Sequence, residues 1–245
     1  MTCADPTLTI SEVATMTRSL YCTGALARRK LQHLRPYACP FETLLSLVPD
    51  TGSLLDIGCG SGLLLGLALR TGKFIQAVGV DISDEAIQMA MAMRQSGLNA
   101  GQRERLALHL SRSIADWPVA AFDVVSLIDV MHHVRLDIRS EVLEAAIARV
   151  KPGGILLYKD MGRRPRWRAL LNWLHDLVVS RQWIRYTPIA EIEDAARKSG
   201  LAEIRAETIN RLVYGHELRV YRKPGPGFAH GSLPGQLREV RGLTV

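Results

Sequence analysis

The chain has 245 residues, 31 Lys and Arg against 24 Asp and Glu, a net charge of +7, a pI near 9.5 and 47% hydrophobic residues. That length suits one α/β domain with an added cap, and the apolar content supplies a sizeable core. No apolar run approaches the ~20 residues that span a bilayer, and residues 1–20 lack the basic start and apolar core of a secretory signal, so a soluble, cytoplasmic protein is expected. Cys3, Cys22, Cys39 and Cys59 form neither a C-x-x-C pair nor a metal-ligand spacing, so they read as free thiols and no metal site is expected. The basic excess leaves open nucleic acid, anionic lipid, a carboxylate substrate or an acidic carrier protein, or simply a solvated surface.

In chain order, residues 8 to 34 place Leu8, Ile10, Val13, Met16, Leu20, Leu26 and Leu31 at mixed helical spacings, with Gly24 the main breaker. Residues 1–48 are therefore read as an N-terminal helical segment. Arg28-Arg29-Lys30 falls near the C-terminal part of this helix, where cations offset its dipole. Pro36 and Pro40 are expected to break it, and Phe41 to Val48 forms a short helix before the first strand.

The stretch from Leu54 to Leu64, LLDIGCGSGLL, is an apolar run ending in an acid, then glycines at every second position, then leucines. It reads as a buried strand, a tight turn and the first turn of a helix. Glycines there allow backbone angles a Cβ forbids and let a ligand lie on the main chain. The spacing is G-x-G-x-G from Gly58 through Gly60 to Gly62, with Asp56 two residues upstream, and not the G-x-G-x-x-G of dinucleotide enzymes.

A helix over 61–71 then ends at Thr71-Gly72, strand two covers about 75–81, and Ser83 caps a helix over 84–96 that Gly97 closes. Leu106 to Leu110 is strand three, 137–149 a helix and about 154–159 strand five. An insertion over about 163–186 carries Arg163, Arg164, Arg166 and Arg168, and a helix with Leu170, Trp173, Leu174, Leu177 and Val178 on one face. That helix either packs on the core or forms a lid over an apolar acceptor. Thr187-Pro188 opens another helix ending at Gly200, and 201–209 with 212–222 make a final hairpin. Residues 224–245 are rich in Pro and Gly and read as a flexible tail.

With the glycine turn, three further blocks carry a resemblance: Val78-Gly79-Val80-Asp81-Ile82-Ser83, then Phe122 to Val134 (FDVVSLIDVMHHV), then Val150 to Leu157 (VKPGGILL). In this order they resemble the class I S-adenosylmethionine (SAM)-dependent methyltransferases, whose nucleotide loop is D-x-G-x-G-x-G. The resemblance implies an α/β, doubly wound, Rossmann-like seven-stranded sheet over 49–223, mostly parallel with an antiparallel last strand. It further implies that Gly58, Gly60 and Gly62 receive the amino-acid part of SAM, that Asp81 takes both ribose hydroxyls, and that Ile82 lies against adenine. Asp56 and Asp129 would favour the ammonium end. The sequence departs from the family after strand three, where an acid usually meets the adenine amino group. Aligning Asp116-Trp117-Pro118 on the family's D-L-P element puts Ser113 there, with Ile114 beside the ring, and Asp116 is read as capping a turn. One of Arg28, Arg29, Lys30 or Arg35 is a candidate for the SAM carboxylate.

In such a sheet ligands sit beyond the C-terminal strand ends, and Lys159 and Asp160 fall there with the residues named. If the acceptor is a hydroxyl, His133 and then His132 are the candidate bases, because imidazole titrates near neutral pH and adjacent residues point apart. The alternative is a structural hydrogen bond at the strand exit. His216 is a poorer candidate, while His109 and His175 read as structural or solvated.

The expected activity is SAM-dependent methyl transfer to an apolar or aromatic small molecule at oxygen. Trp167, Trp173 and Trp183 argue for an apolar pocket, and the arginines for an acceptor that is anionic or carried by an acidic protein. Peripheral membrane contact is compatible with this reading. Methylation at carbon, as in quinone biosynthesis, is the nearest alternative. An RNA or protein methyltransferase and a non-catalytic SAM-binding protein are the rivals. Nucleic acid is disfavoured by the lack of a separate recognition domain and of the N/D-P-P-Y/F/W motif.

Overall fold

A computed structural model describes residues 8–162, 187–211 and 214–225. Its frame is set by strands whose neighbouring apolar residues serve opposite faces. In β1 (Thr51–Ile57), Leu54 enters one core and Leu55 the other. The same split recurs at Val124 and Val125 of β4 (Phe122–Ile128) and at Leu157 and Leu156 of β5 (Val150–Met161). Both faces are buried, which is why these strands read as continuous apolar runs.

The seven strands, including β2 (Phe74–Asp81), β3 (Leu106–Leu110), β6 (Ala202–Arg211) and β7 (Tyr214–Arg222), lie in the order β3-β2-β1-β4-β5-β7-β6. Strands β1 to β5 pair in parallel, whereas β7 runs antiparallel to both β5 and β6. This is the doubly wound sheet with one antiparallel strand that the motif order implied. One face is covered by α1 (Ile10–Leu20), α3 (Phe41–Leu47), α4 (Leu63–Arg70) and α5 (Asp84–Gly97), the other by α7 (Arg139–Ala148) and α8 (Ile189–Lys198). A short α6 (Ala100–Glu104) leads into β3. Among the described residues no helix is long and apolar enough to cross a membrane.

The N-terminal segment departs from its sequence reading. It is broken over Tyr21–Ala25, with Gly24 at φ +94°, into α1 and α2 (Leu26–Ala38). Thr9 and Glu12 close a capping box on α1. Arg28-Arg29-Lys30 therefore opens a helix instead of closing one. Arg28 pairs with Glu85 at 2.5 Å, and Arg29 Nε donates to the Tyr21 carbonyl at 3.1 Å. Pro36 sits inside α2, in its last turn, where only one bond near the helix end is lost. The helix stops at Cys39, whose N–H still reaches Arg35 O at 2.8 Å, and Pro40 follows.

Two further boundaries shift. Gly97 is the last residue of α5 and takes no left-handed conformation; a Cβ there would come within 2.5 Å of Leu20 O, so the position serves close approach of α1. The helix expected over 137–149 begins as a 3₁₀ turn at Leu136–Ile138. The insertion over 163–186, with its arginines, tryptophans, His175 and proposed cap helix, lies outside the described residues, as does most of the tail.

Candidate cofactor and acceptor site

The glycine turn joins β1 to α4 directly beneath the end of β2. The N–H groups of Gly58 and Cys59 both donate to Val80 O, at 2.8 and 3.0 Å, pinning the turn to the neighbouring strand. All three glycines have positive φ, but for different reasons. At Gly58 a Cβ would collide with Val130 Cγ2 at 2.5 Å, and at Gly62 it would crowd Met93 and Ala90. At Gly60, with φ +55°, a Cβ would meet nothing within 4 Å. Gly60 alone of the three opens its Cα side to a space that a ligand can fill.

Asp81 closes the other side of that space. Its Oδ2 accepts from Gly60 N at 2.7 Å and its Oδ1 from Ser83 N at 2.8 Å. Each carboxylate oxygen has capacity for a second donor, the requirement for two vicinal hydroxyls. Ile82 follows at 71% exposure, an apolar side chain left in the open at the strand end. Ser83 Oγ caps α5 by accepting from Ala86 N at 3.2 Å. The outward-facing glycine, the half-buried acid and the exposed apolar residue fit a nucleoside such as that of SAM. Beyond β3, Asp116 Oδ2 accepts from both Arg112 N and Ser113 N at 2.9 Å, so it caps the 3₁₀ turn Ile114–Asp116 as read from sequence. Ser113 is exposed and Ile114 half-buried.

Asp56 lies below the turn, 3% exposed, with Oδ1 receiving Ser126 Oγ at 2.6 Å. Burial, reinforced by the nearby Asp81 and opposed by Ser126 and Arg35, raises its pKa to about 7. Asp129 differs in every respect. It has φ +57°, unusual without a glycine, and Lys159 Nζ donates to both of its oxygens at 2.7 Å. Arg35 Nη2 stands 3.8 Å away. Burial works against the charged form of Asp129, but Lys159, His216 and Arg35 outweigh it and hold the carboxyl well below its usual range. The Lys159 side chain is fully buried. Desolvation opposes its charge, yet Asp129 and Cys39 prevail and raise its pKa.

The two histidines differ in exposure, but their rings lie against each other and do not point apart as expected of adjacent residues. His132 is buried, its Nδ1 bonded to Asp160 Oδ1 at 2.5 Å and its N–H to Asp160 Oδ2 at 3.1 Å. His133 reaches solvent, its ring centroid 4.0 Å from that of His132. Protein crowding around the ring, then the neighbouring His132, lowers the His133 pKa to about 4. His216 is buried and donates from Nε2 to Ala38 O at 2.7 Å, tying β7 to the end of α2; desolvation followed by Lys159 lowers its pKa to about 4. His109 is exposed on β3.

One contributor carried no sequence signal, and for four residues already read at the strand ends the pairing was not visible. Tyr21, buried between α1 and α2, donates its hydroxyl to Ser61 O at 2.8 Å and thereby fastens the N-terminal segment to the glycine turn. The Lys159–Asp129 and Asp160–His132 pairs span 30 and 28 residues and exist only because β4 and β5 are neighbours in parallel register.

Residues 27–206 match the protein family described as a methyltransferase domain. Among curated relatives, a ubiquinone biosynthesis O-methyltransferase of Paraburkholderia phymatum is 29% identical over 175 residues, 65% of this chain and 69% of that one. The namesake from Idiomarina loihiensis is 27% identical over 135 residues, 55% of this chain, and there the match spans about half of the relative's length, 51%. An O-methyltransferase family protein from Burkholderia thailandensis superposes with a TM-score of 0.65 at 21% identity, covering 81% of this chain and 60% of that one. Magnesium protoporphyrin IX methyltransferase from Synechocystis PCC 6803, solved with bound SAM, gives 0.60 at 16% identity, covering 90% of this chain and all of the other, 100%. At those identities the structural likeness speaks for the fold. The family match over most of the chain, joined to the glycine turn and its Asp81 partner, shows that the chain belongs to the class I SAM-dependent methyltransferases.

Proposed function

We propose that the protein transfers the methyl group of SAM to an oxygen of a small apolar or aromatic acceptor. The observation that carries this reading is the turn at Gly60, open toward the crevice and held by Asp81 at 2.7 Å. In this reading Gly60 receives the cofactor's main-chain contacts, with Gly58 and Gly62 shaping the turn around it. Asp81 takes the ribose hydroxyls, and Ile82, Ser113 and Ile114 border the adenine. Asp56 and Arg35 serve the ammonium and carboxylate ends, and Asp129 acts there through Arg35 and Lys159. SAM, when bound, supplies an activated methyl donor.

The chain's own task is then alignment, for which well-oriented reactants gain about 7–11 kcal/mol. In this reading His133, which reaches solvent and is neutral at physiological pH, accepts the hydroxyl proton, while His132 is held from behind by Asp160. Oxygen as the acceptor atom is supported by the printed names of the relatives, ubiquinone biosynthesis O-methyltransferases. A carrier-bound or anionic acceptor is a narrower proposal that rests on the arginines of 163–186. The test is mass spectrometry of cell extract incubated with enzyme and methyl-labelled SAM. Label on a hydroxyl of an apolar small molecule supports the proposal; label only on carbon, on RNA or on protein refutes it.

A further inference from the structure

Helix α2 is folded inside out. A surface helix normally turns its apolar stripe to the core. Here the buried positions are Gln32 and Pro36, and the contacts to the body of the protein are polar. Arg29 Nε and His33 Nε2 both reach the Tyr21 carbonyl, at 3.1 and 3.2 Å. The apolar side chains face outward, with Leu26 at 62% exposure, Leu31 at 42%, Leu34 at 62% and Tyr37 at 37%. Leu31, Leu34 and Tyr37 follow at three-residue spacing and form one ridge along the helix. Such a contiguous apolar ridge calls for a partner.

We propose that this face of α2 docks on an anionic lipid surface. Charge selects that occupant. The sequence of α2, LARRKLQHLRPYA, contains no acid and four cations, of which Arg29 turns inward while Arg28 and Arg35 face acids of other elements. Lys30 lies among the exposed leucines, and Arg18 of α1 reaches the Tyr37 hydroxyl at 3.3 Å, so cations stand within and beside the ridge. Glu85, paired with Arg28, and Asp129, 3.8 Å from Arg35, are acids that other elements bring to this helix. A helix with an apolar face and a cationic rim settles at the boundary between headgroups and acyl chains. A second copy of the chain would bring the same cations against themselves across a two-fold axis and be repelled. The inference goes beyond the proposed methyl transfer, and its test requires no turnover.

The experiment is co-sedimentation of the full chain with vesicles of phosphatidylcholine alone and with vesicles containing phosphatidylglycerol. The chain should pellet with the anionic vesicles, less with the neutral ones, and less as salt rises. The double variant Leu31→Glu and Leu34→Glu should weaken anionic vesicle binding by about tenfold or more, with melting temperature and SAM affinity unchanged. A wild-type chain that stays in the supernatant, or a variant that pellets equally well, overturns the proposal. So does a variant that melts earlier, which would show the face covered by the chain itself. A wild-type dimer that the variant dissociates likewise overturns it in favour of a copy interface.

Discussion

Lys159 Nζ donates to both carboxylate oxygens of Asp129 at 2.7 Å, from a side chain with no solvent exposure. The pair holds a left-handed, non-glycine residue at the exit of β4 and neutralises a buried charge there. Removing one partner of such a pair leaves the other charge uncompensated, at a cost of about 3–5 kcal/mol. Lys159→Met should therefore lower the melting temperature sharply. Adding Asp129→Asn should recover much of the loss, and a double variant melting below the single one would show that the pair is not the cause.

Asp81→Ala removes the acceptor that faces the glycine turn. SAM affinity should fall by about 1.5–3 kcal/mol, roughly 10- to 150-fold, measured by calorimetry. Unchanged affinity would remove Asp81 from the ribose site.

The glycines should respond differently to substitution. Gly60→Val places a side chain in open space, so the chain should fold, less the strain of a positive φ, yet fail to bind SAM. Gly58→Val should fail earlier, as misfolding, because Val130 already occupies the position. Circular dichroism alongside calorimetry separates the two outcomes, and SAM binding by Gly60→Val would refute the placement of the cofactor.

Asp56, raised to about 7, gives a pH dependence of definite sign. Its folded pKa lies above the unfolded value near 3.8, so its contribution to stability is complete below about pH 4 and is lost as pH rises through about 7. A cationic cofactor end favours the ionised form, so SAM binding should tighten between pH 6 and 8 by up to about tenfold. Asp56→Asn should flatten both trends; calorimetry and thermal melts over that range provide the check.

His133→Ala should reduce turnover by about 10²–10⁴-fold with SAM affinity intact, whereas His132→Ala should act mainly on stability by removing the imidazole bond to Asp160 Oδ1. Because His133 titrates at about 4, the acceptor kcat/KM at saturating SAM should show no His133 limb near 6.5, where an ordinary imidazole puts one. An acid limb at that point that vanishes in His133→Ala would contradict the crowded ring.

Much of this was legible from local pattern. The Leu54–Leu64 stretch, Ser83 as a cap, Gly72 as a helix stop and the acid at the end of β2 each depend on neighbours within a few residues, where backbone sterics dominate. What the sequence hid depends on contacts across the fold. Gly58 serves Val130 and Gly97 serves Leu20 O, neither visible before the elements pack. The break at Tyr21–Ala25 was masked because the helical spacing of leucines runs on through it, although on α2 those leucines face outward. Pro36 misled for a related reason: a proline in the last turn forfeits too little to end a helix.

The hydroxyl of Tyr21 on the Ser61 carbonyl has a consequence for handling the protein. The link from Tyr21 to Ala25, exposed apart from Tyr21 itself, hangs from the loop proposed to receive the cofactor. If the cofactor orders that loop, ligation should also slow proteolysis of the link. The rate at which a protease nicks the chain near Gly24 should then gauge how full the proposed cofactor site is, with no need to know the acceptor.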